Sequence, residues 1–199
     1  MNNMRRFIPV CLAVLATVLL ATVLSACGSS VKTYTDSSYG YSFTYPAEWK
    51  LQTSVTSDAT AGNSSAGAVA VYDSEGTVVD KIHMDLAMVM VYELTVTVHD
   101  PWSSDIRAKL EGLVTDLKSQ ASDAKIEQAL EQTTKAGLKG YAVTLTFTKG
   151  DTPMRSTLYF LFDGTLEYQV TQQAAIATWQ DAKPALDGIV ATFKPGAAK

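Results

Sequence analysis

The apolar and polar positions divide the chain into stretches of different period. Phe7 to Leu24 is an apolar run broken only by Pro9 and two threonines. From Tyr39 the period is two. Tyr39, Tyr41, Phe43 and Tyr45 alternate with Gly40, Ser42 and Thr44, which predicts a strand with every aromatic on one face, ended by Pro46. Further strands are expected from Lys50, over Ala68 to Asp73 and, briefly, over Thr77 to Asp80 after a turn at Ser74-Glu75-Gly76. Residues 58–67 read as a Gly/Ser loop. Leu86 to Val98, rich in Val, Thr and Met, predicts a long central strand.

The period then lengthens. Between Ser103 and Ala121, the residues Ile106, Leu110, Leu113, Val114, Leu117 and Ala121 form one helical stripe. Arg107, Lys109, Glu111, Asp116 and Lys118 lie off it. Asp100-Pro101 or Ser103 can start that helix. Ile126 to Thr134 fits helix by composition and strand by context. Tyr141 to Thr148 alternates, Lys149-Gly150-Asp151 turns the chain, and Met154 to Phe162 returns it. Asp163-Gly164 signals a hairpin, so Leu166 to Gln172 completes a three-strand meander. A last helix is expected to gather Ile176, Trp179, Leu186, Ile189, Val190 and Phe193 on one face, with Pro184 kinking or restarting it. Strands joined by short turns make an antiparallel sheet. The fold class is therefore α+β: an α/β/α sandwich with a central, mainly antiparallel sheet flanked by two amphipathic helices.

The apolar run at the front changes the picture most. Arg5 and Arg6 precede it, and Ser25-Ala26-Cys27-Gly28 follows. A positive start, an apolar stretch and a small-residue cleavage site form a secretory signal peptide. The run is also near the roughly 20 residues that span a bilayer, so an uncleaved anchor is the competing reading. Leu24-Ser25-Ala26-Cys27 resembles the lipobox of bacterial lipoproteins. That resemblance implies a diacylglyceryl group on the Cys27 thiol, cleavage before Cys27, and palmitate-type acyl chains holding the protein to the membrane. The expected layout is a signal peptide over 1–26, a lipidated tether over 27–37 and one domain over 38–195. Cys11 leaves with the leader, so the mature chain has no disulfide. The formal net charge of −4 becomes more negative once Arg5 and Arg6 are removed. That argues against nucleic acid as a partner.

The segments "YGYSFTYPAEW", "GLKGYAVTLTF", "LYFLFDGTLEYQVT" and "TWQDAKPALDGIVATFK", with the amphipathic helix between the first and second, resemble the Mog1/PsbP-like fold. More narrowly they resemble the domain shared by bacterial lipoproteins of the DcrB type. The resemblance spans roughly residues 37–194. It implies the fold and an envelope setting, and it carries no catalytic residues.

Candidate chemistry is sparse. His83 and His99 stand in no zinc spacing. His99 reads as a strand-end residue and Asp100 as a cap. Met84, Met88 and Met90 would share one strand face with Leu86 and Tyr92, which suits core packing. Thioethers could also hold Cu(I), but His83 and Asp85 fall on the other face. Gly62 to Gly67 misses the nucleophile elbow by one position, and phosphate-binding Gly motifs are absent. Asp181 and Asp187 read as solvated. The aromatic face of Tyr39, Tyr41, Phe43, Tyr45 and Trp49 is either core, with tyrosine hydroxyls at its rim, or a platform for a partner. The expectation is a lipid-anchored, non-enzymatic envelope module without cofactor or metal, bound to the membrane through Cys27 and to an envelope protein. The alternative is an enzyme or metal-handling protein whose site assembles from His83, His99 and nearby carboxylates.

Overall fold

The structure is a computed structural model and describes residues 30–53, 67–121 and 123–196. The leader, Cys27 and most of the loop read at 58–67 lie outside these residues. The chain forms β1 (Val31–Thr35), β2 (Ser42–Pro46), β3 (Lys50–Gln52), β4 (Gly67–Tyr72), β5 (Val78–Val79), β6 (Ile82–His83) and β7 (Leu86–Val98). There follow α1 (Ser104–Gln120), β8 (Lys125–Lys135), β9 (Leu138–Lys149), β10 (Thr152–Ala175) and α2 (Trp179–Thr192).

The first difference from the sequence reading is β1. It occupies part of the polar stretch expected to be tether and pairs antiparallel with β2, Val31 opposite Pro46 and Thr35 opposite Ser42. VKTYT has β-branched residues but little apolar surface, so composition hid the strand. The main sheet has the order β3-β4-β7-β10-β9-β8, antiparallel throughout.

β10 is extended along its whole length, yet it doubles back. Twenty-four straight residues would reach about 80 Å. Instead the Ile176 amide donates to the Pro153 carbonyl at 2.9 Å. Met154 and Ala175 share one cluster, and Leu161 and Tyr168 another. The reversal falls at Asp163-Gly164-Thr165-Leu166, where Gly164 has φ +60°. The hairpin expected there is present. Its first arm pairs with β9 and its second with β7. Tight turns with positive φ recur: Ala136 (φ 53°) and Gly137 (φ 80°) join β8 to β9, and Asp80 (φ 51°) and Lys81 (φ 68°) join β5 to β6. Such turns match the twist of the strands they connect.

The stretch that fitted both helix and strand, Ile126 to Thr134, is part of β8. It is an edge strand with only Leu130 buried and two irregularities of register. An edge beside solvent needs no apolar alternation, which explains the ambiguous pattern.

The helices cover opposite faces. Neighbouring strand residues point to opposite sides, and Phe160 and Phe162 pack with α1 while Leu161 packs with α2. Ser103 caps α1, its Oγ accepting from the Ile106 amide at 3.4 Å. Asp100 instead accepts from the Trp102 amide at 3.1 Å and shapes the approach. α1 buries Leu110 and Val114 against Tyr141, Val143 and Leu145. On the other face α2 and the β1–β2 hairpin share one cluster. Ser42 and Lys194 exchange backbone hydrogen bonds of 2.9 and 2.8 Å, and Thr192 Oγ1 accepts from the Thr44 amide at 3.0 Å. The last helix differs in two ways from expectation. It runs through Pro184 without ending, because the lost N–H would have served a carbonyl on the exposed side. Ile176 lies in the turn ahead of it and is 49 % exposed rather than on the buried stripe.

Candidate functional site

The aromatic face resolves as core. Tyr41, Phe43, Tyr45 and Trp49 are buried against α2 and the sheet. The expected rim of hydroxyls is only partly there. The hydroxyls of Tyr41 and Tyr168 are buried inside the cluster, their rings meeting edge-on at 6.1 Å. Burial pushes both hydroxyls above the ordinary phenol range. Tyr39 lies before β2. Its hydroxyl donates to Glu93 Oε1 at 2.8 Å, and burial, aided by that carboxylate, pushes it up to about 12.

The two histidines are not brought together. His83 ends β6 and stacks on Tyr72, ring centroids 4.6 Å apart. His99 follows β7 and is exposed. The 13-residue β7 separates them, a span of roughly 40 Å. Among the described residues no three His, Cys, Asp or Glu side chains converge as a metal-holding group. Nor is any described helix long and apolar enough to cross a membrane. The methionines also part company. Met84 precedes β7 and packs with Val79, Met154 and Ala175, whereas Met88 and Met90 lie on the strand itself.

The sequence reading missed the importance of Asp85. Its side chain is fully enclosed (2 % exposed) and accepts four hydrogen bonds. Oδ1 takes the Ala175 amide at 3.0 Å. Oδ2 takes the Thr77 amide at 3.0 Å and the Thr77 and Thr178 hydroxyls at 3.2 and 2.9 Å. The β4–β7 connection, the end of β10 and the entry to α2 therefore meet on one carboxylate. An acid inside the apolar run "HMDLAMVM" was the available signal. Full burial with backbone and hydroxyl donors on both oxygens makes this group structural.

A mixed patch remains on the face opposite α2, with Met88, Tyr92 and Gln169 half-buried and Met90, Ala70 and Thr171 buried. Cross-strand register puts Met88 beside Thr171, Met90 beside Gln169 and Tyr92 beside Glu167, with Ala68 and Ala70 on β4 next to the methionines. Met88 and Met90 belong to none of the three apolar clusters. The Tyr92 hydroxyl reaches Met90 Sδ at 3.5 Å, and Gln169 Nε2 donates to Glu167 Oε1 at 2.9 Å. Burial raises the Glu167 carboxyl above its usual range, and the Gln169 amide offsets part of this. A carboxyl raised on folding costs stability when ionised. Its penalty is absent below the unfolded value, grows as pH rises from there, and is complete above the folded one. Glu167→Gln is therefore expected to raise the melting temperature at neutral pH, with the gain fading below about pH 4. Melting curves across that range test this, and a gain that persists in acid would contradict it. A separate shallow groove of about 230 Å³ opens between α1 and β8, rimmed by the Arg107–Glu111 ion pair and floored by Ile126 and Leu130. These surfaces offer sulfur, amide and apolar contact. Neither pairs a nucleophile with a base.

This geometry defines a class: two helices on opposite faces of an antiparallel sheet, the PsbP/Mog1-like α+β fold. The solved structures it matches include cyanobacterial PsbP (CyanoP) from Synechocystis sp. PCC 6803, 19% identical, with a TM-score of 0.55 over 86% of this chain and 98% of that one. They also include LpqN of Mycobacterium tuberculosis, described as involved in cell envelope biogenesis, 10% identical, with a TM-score of 0.53 over 83% and 91%. No protein-family model matches the chain, and no curated protein matches it. At these identities the likeness is one of fold.

Proposed function

We propose that this protein is a lipid-anchored, non-enzymatic module of the cell envelope that binds or positions an envelope protein. The observation that carries the reading is the signal layout, Arg5-Arg6, the apolar run and Leu24-Ser25-Ala26-Cys27, placed directly before a PsbP-like domain. The envelope role of LpqN, a protein of the same fold, supports it. The half-buried residues Met88, Tyr92 and Gln169 of β7 and β10 are the surface offered to the partner. The Met88 thioether adapts to a partner's shape, and the flanking polar groups orient it.

Metabolic labelling with palmitate tests the anchor. Wild-type protein is expected to take up label and Cys27→Ala to take up none while accumulating uncleaved. Equal labelling, or none in either, would remove the anchor. In-cell crosslinking through a photoreactive residue at Gln169 tests the module. Reproducible capture of one envelope protein is expected. Turnover of a small molecule by the purified domain would overturn the non-enzymatic reading.

A further inference from the structure

The structure shortens the tether, because β1 begins inside the stretch expected to be linker. β1 starts at Val31, so only Gly28, Ser29 and Ser30 separate Cys27 from the folded domain. Four residue steps reach at most about 14 Å. A lipid on Cys27 would therefore keep Val31 within that reach of the bilayer interface.

That end is also where the exposed apolar residues collect. Register places Lys50, Tyr72, Leu86 and Gln173 in one row across the sheet, and Ile126, Leu145 and Ser156 in another row at the same end. Val31 lies opposite Pro46, just before the turn into β3. The β5–β6 hairpin connects β4 to β7 there, and Ile176 follows β10 there. Val31, Leu51, Val78, Ile82, Ile126 and Ile176 are the exposed large apolar residues at this end. Val78, Ile82 and Ile176 are each about half exposed, at 52, 54 and 49 %. Among the described residues the one other large exposed apolar residue, Val96, lies near the far end of β7.

We infer that the end of the domain formed by Val31, the β5–β6 hairpin and Ile176 rests on the lipid surface. The inference builds on the proposed anchor. The exposed lysines at this end, among them Lys32, Lys50 and Lys81, are offset in charge by the exposed acids Glu48, Asp80 and Asp151, so the contact is apolar rather than electrostatic. Apolar side chains at such a boundary gain free energy from the outer acyl region, and the short tether removes most of the cost of bringing them to it.

The test uses full-length protein from a lipidating host, reconstituted in phosphatidylcholine vesicles that contain brominated phosphatidylcholine. Ile82→Cys, Ile176→Cys and Val96→Cys are each labelled with a polarity-sensitive fluorophore. All three sites are exposed, so the fold should tolerate the label. Lipid quenching at residues 82 and 176 is expected to exceed that at residue 96 by about twofold or more, and to be unchanged when anionic lipid is added. Equal quenching at all three sites, or quenching strongest at residue 96, would overturn the orientation. Palmitate labelling of the same preparations reports the anchor separately. A labelled protein with the wrong quenching pattern refutes the orientation alone, and an unlabelled one refutes the anchor first.

Discussion

Asp85→Ala is expected to lower the stability of the domain by about 3 kcal/mol or more. The carboxylate satisfies two backbone amides, those of Thr77 and Ala175, and two threonine hydroxyls. Alanine leaves the amides without an acceptor in a site that water does not readily reach, and each such loss costs roughly 1–3 kcal/mol. Asp85→Asn keeps one oxygen but turns an NH₂ toward groups that are themselves donors, so its cost should be intermediate. Gly76 reinforces the point, because a Cβ there would stand 2.8 Å from Asp85 Oδ2. Urea denaturation followed by tryptophan fluorescence measures the loss. A change under about 1 kcal/mol for Asp85→Ala would show that the network rearranges freely.

Gly140→Ala is the second large effect. Gly140 lies in β9 opposite Leu161 of β10, and its own carbonyl accepts the Trp102 indole N–H at 3.0 Å. A Cβ at this position would come within 1.8 Å of the Phe160 carbonyl oxygen. The obstacle is backbone inside a hydrogen-bonded ladder, so no rotamer change relieves it. Separating β9 from the first arm of β10 would uncover Tyr141 and Phe160, both fully buried. The expected loss is about 3 kcal/mol or more, enough to bring a domain of ordinary stability close to unfolding. Gly188→Ala is the internal control. It sits in α2 with nothing within 4 Å of the added methyl, so a gain of up to about 1 kcal/mol is expected from helix propensity. The same substitution should thus act with opposite sign at two glycines. A similar melting temperature for both variants would contradict the geometry at Gly140.

The legible parts of the fold were those where local chemistry and tertiary demand agree. The stripe of α1, the alternation of β9, the length of β7 and the hairpin at Asp163-Gly164 follow from period and turn residues alone. β1 and β8 were harder for one reason: neither buries much, so no apolar period marks them. Ile176 misled because it stands in phase with the stripe of α2 while lying ahead of the helix. The buried role of Tyr41, Phe43 and Tyr45 could be weighed from alternation, but only the packing of α2 decided it. Asp85 stood out as an acid in an apolar run, but its role did not, since its donors Thr77, Ala175 and Thr178 come together only when three separate segments have folded.

The joining of β2 to α2 has a consequence for how the molecule can be made. Thr44 and Thr192 are 148 positions apart in the chain, yet their hydroxyls are 2.9 Å apart, and Ser42 pairs with Lys194 beside them. The larger apolar cluster draws Tyr41, Phe43, Tyr45 and Trp49 from the start of the domain and Trp179, Leu186, Ile189 and Phe193 from its end. Ends that must meet impose a late and slow step on folding. A chain emerging N-terminus first, from a ribosome or through a membrane pore, keeps those early aromatics uncovered until its last residues arrive. The interval between the first and last residue to emerge is therefore the period in which this protein is most open to proteolysis and to aggregation.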